Sequence, residues 1–386
     1  MTVKDQANVD PVMRRKVVTA SFIGNFVEWF DFAAYGYLVA TLGVVFFPDA
    51  DRTSRLLAVF AIFALPFFIR PIGGFIWGHI GDHVGRRSAL SWSILIMSGA
   101  TFCLGLLPGY ATIGVLAPIL LTLIRIAQAF SASGEYAGAS AFLVEYAPPG
   151  KRGLYAAVVP ASTSSGLLLG SLMAALLTGL LSDPQMESWG WRIPFLMAGP
   201  MGLIGRYIRL RLEDTPAFRA LEEQAEVPRT PVSELFTEHR KPLVLALGAS
   251  LLNAVAFYVV LTYMPTYLSE EIGFGRTESF LATTLSLATY IAFIFGTGML
   301  SDRFGRKTML ITASGLFIVF TVPAFLVLET AGFMMILLVE IALGAMLTLN
   351  DGTLPSFLSE LFPTRVRYTG FAVSFNLANA LFGGTS

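Results

Sequence analysis

Ionisable side chains inside long apolar runs are where chemistry is first to be sought, because a charge there is costly unless it is paired or used. Asn25, Glu28 and Asp31 follow one another at three-residue steps, near one face of a helix, with Tyr35 a turn further on. Arg125, Gln128 and Glu135 share a face in a second run, Arg70 stands beside Pro71 in a third, and Glu340 lies in a fourth. Asp31 and Arg125 fall near the middle of their runs, Glu28 nearer one end. A carboxylate in a low-dielectric site holds its proton more tightly, and a nearby cation loosens that hold. An Asp31–Arg125 pair that forms and breaks between conformations would therefore bind and release a proton. A pair that never breaks would only fix helix packing. The same two readings stand for Glu28 and Glu135.

Aromatic faces attract cations by about 0.5–2 kcal/mol. Trp29, Tyr35, Tyr258 and Tyr263 are candidates for holding a quaternary ammonium, whereas Tyr267 suits an interfacial belt. Asn25, Arg70, Gln128, Asn253 and Asn350 offer polar groups that bind a small substrate or merely bridge helices. No nucleophile elbow, zinc-protease helix or phosphate-binding loop is present. The reading is therefore not an enzyme and not an ATP-driven machine, and it calls for no cofactor. The single cysteine, Cys103, excludes an internal disulfide, and the scattered His79, His83 and His239 suggest no metal centre.

The elements that carry these residues are membrane helices. Of 386 residues 55% are hydrophobic and 13% charged, about half the charged share of a soluble domain. Apolar runs of about 20 residues recur from end to end, each long enough to cross a bilayer. Eleven spans are expected, at 17–46, 56–80, 88–107, 112–136, 153–181, 191–212, 242–268, 279–300, 308–328, 333–358 and 368–386. The polar residues 1–16 and the long first run, which lacks an A-x-A site, argue against a cleavable signal peptide.

Charge orients the spans. Arg14, Arg15, Lys16, Arg86, Arg87, Lys151, Arg152, Arg206, Arg209, Arg211, Arg219, Arg229, Arg240, Lys241, Arg303, Arg306, Lys307, Arg365 and Arg367 all fall on one side if every run crosses. The other side has few cations (Arg52, Arg55, Arg276) beside acids such as Asp49, Asp51 and Glu270. The positive-inside rule then puts the N-terminus in the cytoplasm of a multi-pass cell-membrane protein. Residues 213–241, with three prolines and mixed charge, read as a cytoplasmic linker with one short helix: a tether between halves, or a regulatory platform.

Two turns repeat. Gly78, Gly81, Asp82, Gly85, Arg86 and Arg87 return in the second half as Gly298, Ser301, Asp302, Gly305, Arg306 and Lys307. Glu145 and Pro148, with Arg152, return as Glu360 and Pro363, with Arg367. The chain thus divides into a segment 1–16, a six-helix module 17–212, the linker 213–241 and a second module 242–386. A duplicated six-helix module has twelve spans, so the last one is expected to be cut within helix 11.

The pattern G-x-x-x-D-x-x-G-R-[RK] in both halves resembles the major facilitator superfamily. Gly24–Phe32 in the first span, Arg70–Gly74, Gly134–Tyr136, Gly190–Phe195 and Glu213–Phe218 are similar to its metabolite:proton symporters. Leu261–Leu268 and Leu300–Arg306 are most similar to the proline/betaine branch. The resemblance implies an all-α bundle of two six-helix repeats, working as a monomer. It implies proton-coupled import of a small zwitterion, with an organic acid as the alternative and a non-transporting sensor as a further one. Protons, a small molecule and the lipid bilayer are the expected partners, with no nucleic acid. It also implies that Asp82 meets the start of helix 11 near Tyr368, and Asp302 the start of helix 5 near Gly153, when the cytoplasmic side is closed.

Overall fold

The structure is a computed structural model that describes residues 10–383. The first nine residues of the expected N-terminal segment, the Ser386 end of the last expected span and the Arg276 side chain lie outside the described set. The described residues form helices and turns, with no strand.

Asp10 caps the first helix, α1 (Pro11–Tyr37), by accepting the Val12 N–H at 2.9 Å. The expected first span, 17–46, breaks at Leu38, where the chain bends by 71° into α2 (Val39–Phe46). Gly36, two residues before the bend, is the one local signal for it. The bend folds Leu38, Leu42 and Phe46 into a buried cluster with Val59, Trp191 and Phe195, and that burial outweighs helix continuity. Asp51 caps α3 (Arg52–His83), and the Ser54 hydroxyl, ahead of the backbone donors, holds its carboxyl below the usual range.

α4 (Arg86–Leu106), α5 (Leu116–Tyr146), α6 (Arg152–Leu180) and α7 (Arg192–Leu210) complete the first half. Two short helices, α8 (Pro216–Glu223) and α9 (Pro231–Glu238), occupy the linker, one more than expected. The second half holds α10 (Arg240–Tyr258), α11 (Arg276–Phe304), α12 (Arg306–Leu328), α13 (Phe333–Asp351), α14 (Leu354–Leu361) and α15 (Arg367–Ala378). Beyond Tyr258, α10 continues through wider turns on either side of Pro265, which has no N–H to donate. The expected span 333–358 breaks between Asp351 and Leu354, at Gly352 and just before Pro355.

Eight helices among the described residues are long and apolar enough to cross a membrane, nine with the bent α1–α2 pair. The two remaining expected spans are α7, with 19 residues, and α15, with 12. α7 lies along α4 and α1, and α15 along α3 and α10, so both belong to the bundle. Outward faces are apolar, as at Phe68 and Ile318, which suits contact with lipid. The halves meet where α15 packs on α3 and α5, and where α11 packs on α6.

Candidate functional site

Away from the repeated turns, three ion pairs among the described residues are buried in the first half. Arg125 donates to Asp31 at 2.8 Å, and Gln128 donates to the other Asp31 oxygen at 2.9 Å and to Thr101 at 2.7 Å. The Arg125 guanidinium lies 4.2 Å from the Tyr35 ring centre, which fixes it from the other side. One turn back along α1, Glu28 accepts from Arg70 at 2.7 Å, while its second oxygen has no protein partner. Glu135 is paired with Arg209 through both of its oxygens, and Ser93 donates to it at 2.8 Å. Sequence reasoning counted Arg209 among the cations of the basic end. It is instead 2% exposed, and it reaches inward to Glu135 and the Leu90 carbonyl.

A small cavity sits where the halves meet, above the Glu28–Arg70 pair. Trp29, Arg70, Tyr136 and Thr163 line it from the first half, and Asn253, Tyr258, Asp351 and Asn379 from the second. It leaves about 10 Å³ open, room for no more than a water. Trp29 meets Phe257 edge-on at 5.2 Å, and Tyr136 stacks on Phe375 at 4.5 Å. Asp351 accepts from Asn253 at 2.8 Å and from Tyr290 at 2.6 Å. A wider cavity of about 350 Å³, lined by Phe32, Tyr37, Phe63 and Thr266, opens on the side away from the repeated turns.

Of the nine side chains expected to touch a substrate, Trp29, Arg70, Asn253 and Tyr258 line the small cavity. The other five do not. Asn25 ties α1 to α6 by donating to the Val159 carbonyl at 3.0 Å, to Ser162 at 2.9 Å and to Thr163 at 2.7 Å. Tyr35 and Gln128 belong to the Asp31–Arg125 cluster. Tyr263 is 46% exposed, because the wider turns of α10 rotate it off the inner face. Asn350 is buried outside the lining. Sequence reasoning missed Asp351, Tyr290 and Tyr136. An acid in the apolar α13 run was the available signal for Asp351, and it was passed over for its neighbour Asn350.

The repeated turns close the basic end. Asp82, with no exposed surface, accepts the N–H groups of Tyr368 at 3.2 Å and Thr369 at 2.8 Å, at the start of α15. Asp302 accepts those of Gly153 at 2.7 Å and Leu154 at 3.0 Å, at the start of α6. A carboxylate at a helix N-terminus is stabilised by the exposed N–H groups and the helix dipole. Arg86 and Arg306 each hold their aspartate at 2.9 Å. Gly85 and Gly305 take φ of 114° and 88°, which favours glycine at that corner in both copies. A side chain at Gly78 would collide with Thr369, one at Gly81 with the Tyr368 ring, and one at Gly298 with Gly153.

Arg87 donates to the Leu212 carbonyl at 2.8 Å, while Lys307 is exposed. Glu145 binds Arg367 at 2.6 Å, Arg86 at 3.5 Å and the Thr215 hydroxyl. Glu360 binds Arg306 at 3.1 Å and Arg152 at 3.7 Å. The linker joins this network and is more than a tether. Asp214 accepts the Arg86 and Arg87 N–H groups at 3.2 Å each, and Phe218 lies 4.9 Å beneath the Arg86 guanidinium. Burial pushes the Asp214 carboxyl above the usual range, against the Thr215 N–H, Arg86 and the Arg87 N–H. Glu234, Glu238 and His239 come within 4.8 Å of one another on the linker, but Glu234 already pairs with Arg365 at 3.2 Å.

A family profile described as Major Facilitator Superfamily matches residues 21–385. A curated "Proline/betaine transporter" of Salmonella typhimurium is 38% identical, over 100% of this chain and 79% of that protein. A "Glycine betaine/proline/ectoine/pipecolic acid transporter OusA" of Dickeya dadantii is 39% identical, over 99% and 78%. The solved proton:xylose symporter XylE, bound to 6-bromo-6-deoxy-D-glucose, superposes with a TM-score of 0.81 over 97% of this chain and 87% of that one. At 18% identity that likeness concerns the fold alone. The chain belongs to the Major Facilitator Superfamily.

Proposed function

We propose that the chain is a proton-coupled symporter that imports a small zwitterionic osmolyte, such as proline or glycine betaine, by alternating access. It works as a monomer in the cell membrane with its N-terminus in the cytoplasm. The observation that carries the reading is the closed, mixed-charge, aromatic cavity between the halves, in a chain 38% identical throughout to a protein named as a proline/betaine transporter. Substrate held between two repeats is the working geometry of such folds. Asp31 and Glu28 are the proton carriers, since an arginine of another helix holds each of these buried carboxylates through one oxygen only, whereas Arg209 holds both oxygens of Glu135. Arg70, Trp29, Asn253 and Tyr258 touch the substrate. The basic end faces the cytoplasm, and the Asp82 and Asp302 locks hold it shut in this state.

The organic-acid alternative brings two or three carboxylates to a lining that offers one arginine, Arg70, and also carries the carboxylate of Asp351. Arg125 is bound to Asp31 outside that lining. A non-transporting sensor has no need of three buried ion pairs.

The test is uptake of labelled proline, glycine betaine, 2-oxoglutarate and citrate in cells that lack osmolyte uptake, with and without a protonophore. Accumulation of proline or betaine that the protonophore abolishes is expected. Accumulation of only the acids, or uptake indifferent to the protonophore, overturns the reading.

A further inference from the structure

We infer that Asp351 is the acidic pole of the central cavity and takes the positive nitrogen of the substrate, opposite Arg70, which takes its carboxylate. The inference rests on the zwitterion reading above and adds the residue that selects for the cation.

Asp351 lies at the end of α13, is fully buried, and lines the same cavity as Arg70. Asn253 and Tyr290 donate one hydrogen bond to each of its two oxygens, an arrangement that suits an ionised carboxylate. No Lys or Arg among the described residues lies within 4.0 Å of it. The buried acids Glu28, Asp31 and Glu135 each have an arginine. A buried carboxylate satisfied by neutral donors alone still lacks a counter-charge, and burying such a charge unpaired is costly. The cavity supplies the place for one.

What stands around it fits a nitrogen cation. The lining is aromatic: Trp29 and Tyr258, with Tyr136 stacked on Phe375. Aromatic faces beside a carboxylate recognise quaternary or ring ammonium groups. The lining holds one cation, Arg70, and one anion, Asp351, and with Glu28 paired to Arg70 just outside it the acids outnumber the cations by one. That surplus disfavours a di- or tricarboxylate and favours a ligand with a positive centre.

The test uses the full-length protein in proteoliposomes and compares glycine betaine with 3,3-dimethylbutanoate, which has the same shape with carbon in place of the charged nitrogen. Each competes for uptake of labelled betaine. Wild type should prefer betaine by on the order of 30-fold or more, the effect expected of a desolvated charge pair. Asp351→Asn should lower that preference at least about tenfold, and Asp351→Glu, which keeps the charge, should retain most of it. If wild type accumulates betaine without discriminating the isostere, Asp351 has no such role, whether or not Asp351→Asn folds. A folded Asp351→Asn that discriminates as well as wild type also sinks the inference while leaving the symporter reading intact. A wild type that accumulates neither proline nor betaine sinks that reading, and the inference with it.

Discussion

The two copies of the repeated turn differ in burial, and that difference predicts unequal effects from one substitution. Asp82 and Arg86 have no exposed side-chain surface, whereas Asp302 and Arg306 retain 9% and 15%. Asp82→Asn removes a carboxylate from the start of α15, worth up to ~2 kcal/mol in a partly buried setting. It also takes one acid from the buried Arg86, and breaking a fully buried pair costs about 3–5 kcal/mol. Glu145 remains 3.5 Å from Arg86 and Asp214 still holds the turn, so only part of that figure applies. A total of about 3 kcal/mol corresponds to a shift of roughly 100-fold toward the state open at the basic end. The same change at Asp302 touches a pair that water already reaches, for about 1 kcal/mol, or roughly fivefold. Hydrogen–deuterium exchange over residues 370–378, buried between the halves, reads the opening directly. Asp82→Asn should speed that exchange far more than Asp302→Asn. Equal acceleration, or none with Asp82→Asn, would refute the burial argument.

Asp31→Asn should abolish accumulation driven by an imposed pH gradient while sparing substrate exchange without a gradient; retained gradient-driven accumulation rules Asp31 out as a carrier. Glu135→Gln should lower thermal stability by about 3 kcal/mol, because it breaks the buried Arg209 pair, with little change in the KM of the surviving protein. A shifted pH dependence of uptake with unchanged stability would instead return Glu135 to the coupling path. Tyr258→Leu should raise the KM for betaine several-fold and Tyr263→Leu should not, since only Tyr258 lines the cavity. Equal effects would mean that the lining does not define the site.

Span positions, the basic end and the paired turns were legible because hydropathy, Arg and Lys placement and a duplicated motif all act through local sequence. The breaks were less so. The bend at Leu38 follows Gly36, a weak local signal, and is held by packing with Trp191 and Val59, far away in sequence. The first-half acids were found because α1 and α5 are regular helices, where spacing gives the face. In the second half, the wider turns around Pro265 rotate Tyr263 outward, and Asp351, the last residue of α13, lines the cavity where Asn350 does not. Arg209 was misread because an arginine near a helix end is ordinarily a surface group. What draws it inward is Glu135 on a different helix, which spacing within one helix cannot reveal.

The repeat that matches the halves at the basic end does not extend to their interiors. Every buried acid of the first-half cluster has an arginine, whereas Glu340 and Asp351 of the second half have only neutral donors. The two halves therefore meet across the cavity with a cation, Arg70, on one face and an unmatched carboxylate, Asp351, on the other. Direct pairing between them would hold the halves together without a substrate and leave nothing for a ligand to do. When Glu28 takes up a proton, as the carrier role assigned to it requires, Arg70 is released, and a zwitterion placed between the walls satisfies both charges at once, only while they are close enough for both contacts. A ligand with one charge satisfies one wall and leaves the other exposed to a dry cavity. On this arrangement the ligand that binds best is also the one that stabilises the closed form. A ligand shifts a conformational equilibrium only by its differential affinity for the two states. The distribution of charge between unequal halves thus gives closure its dependence on substrate, while the matched turns at the basic end give it a lock.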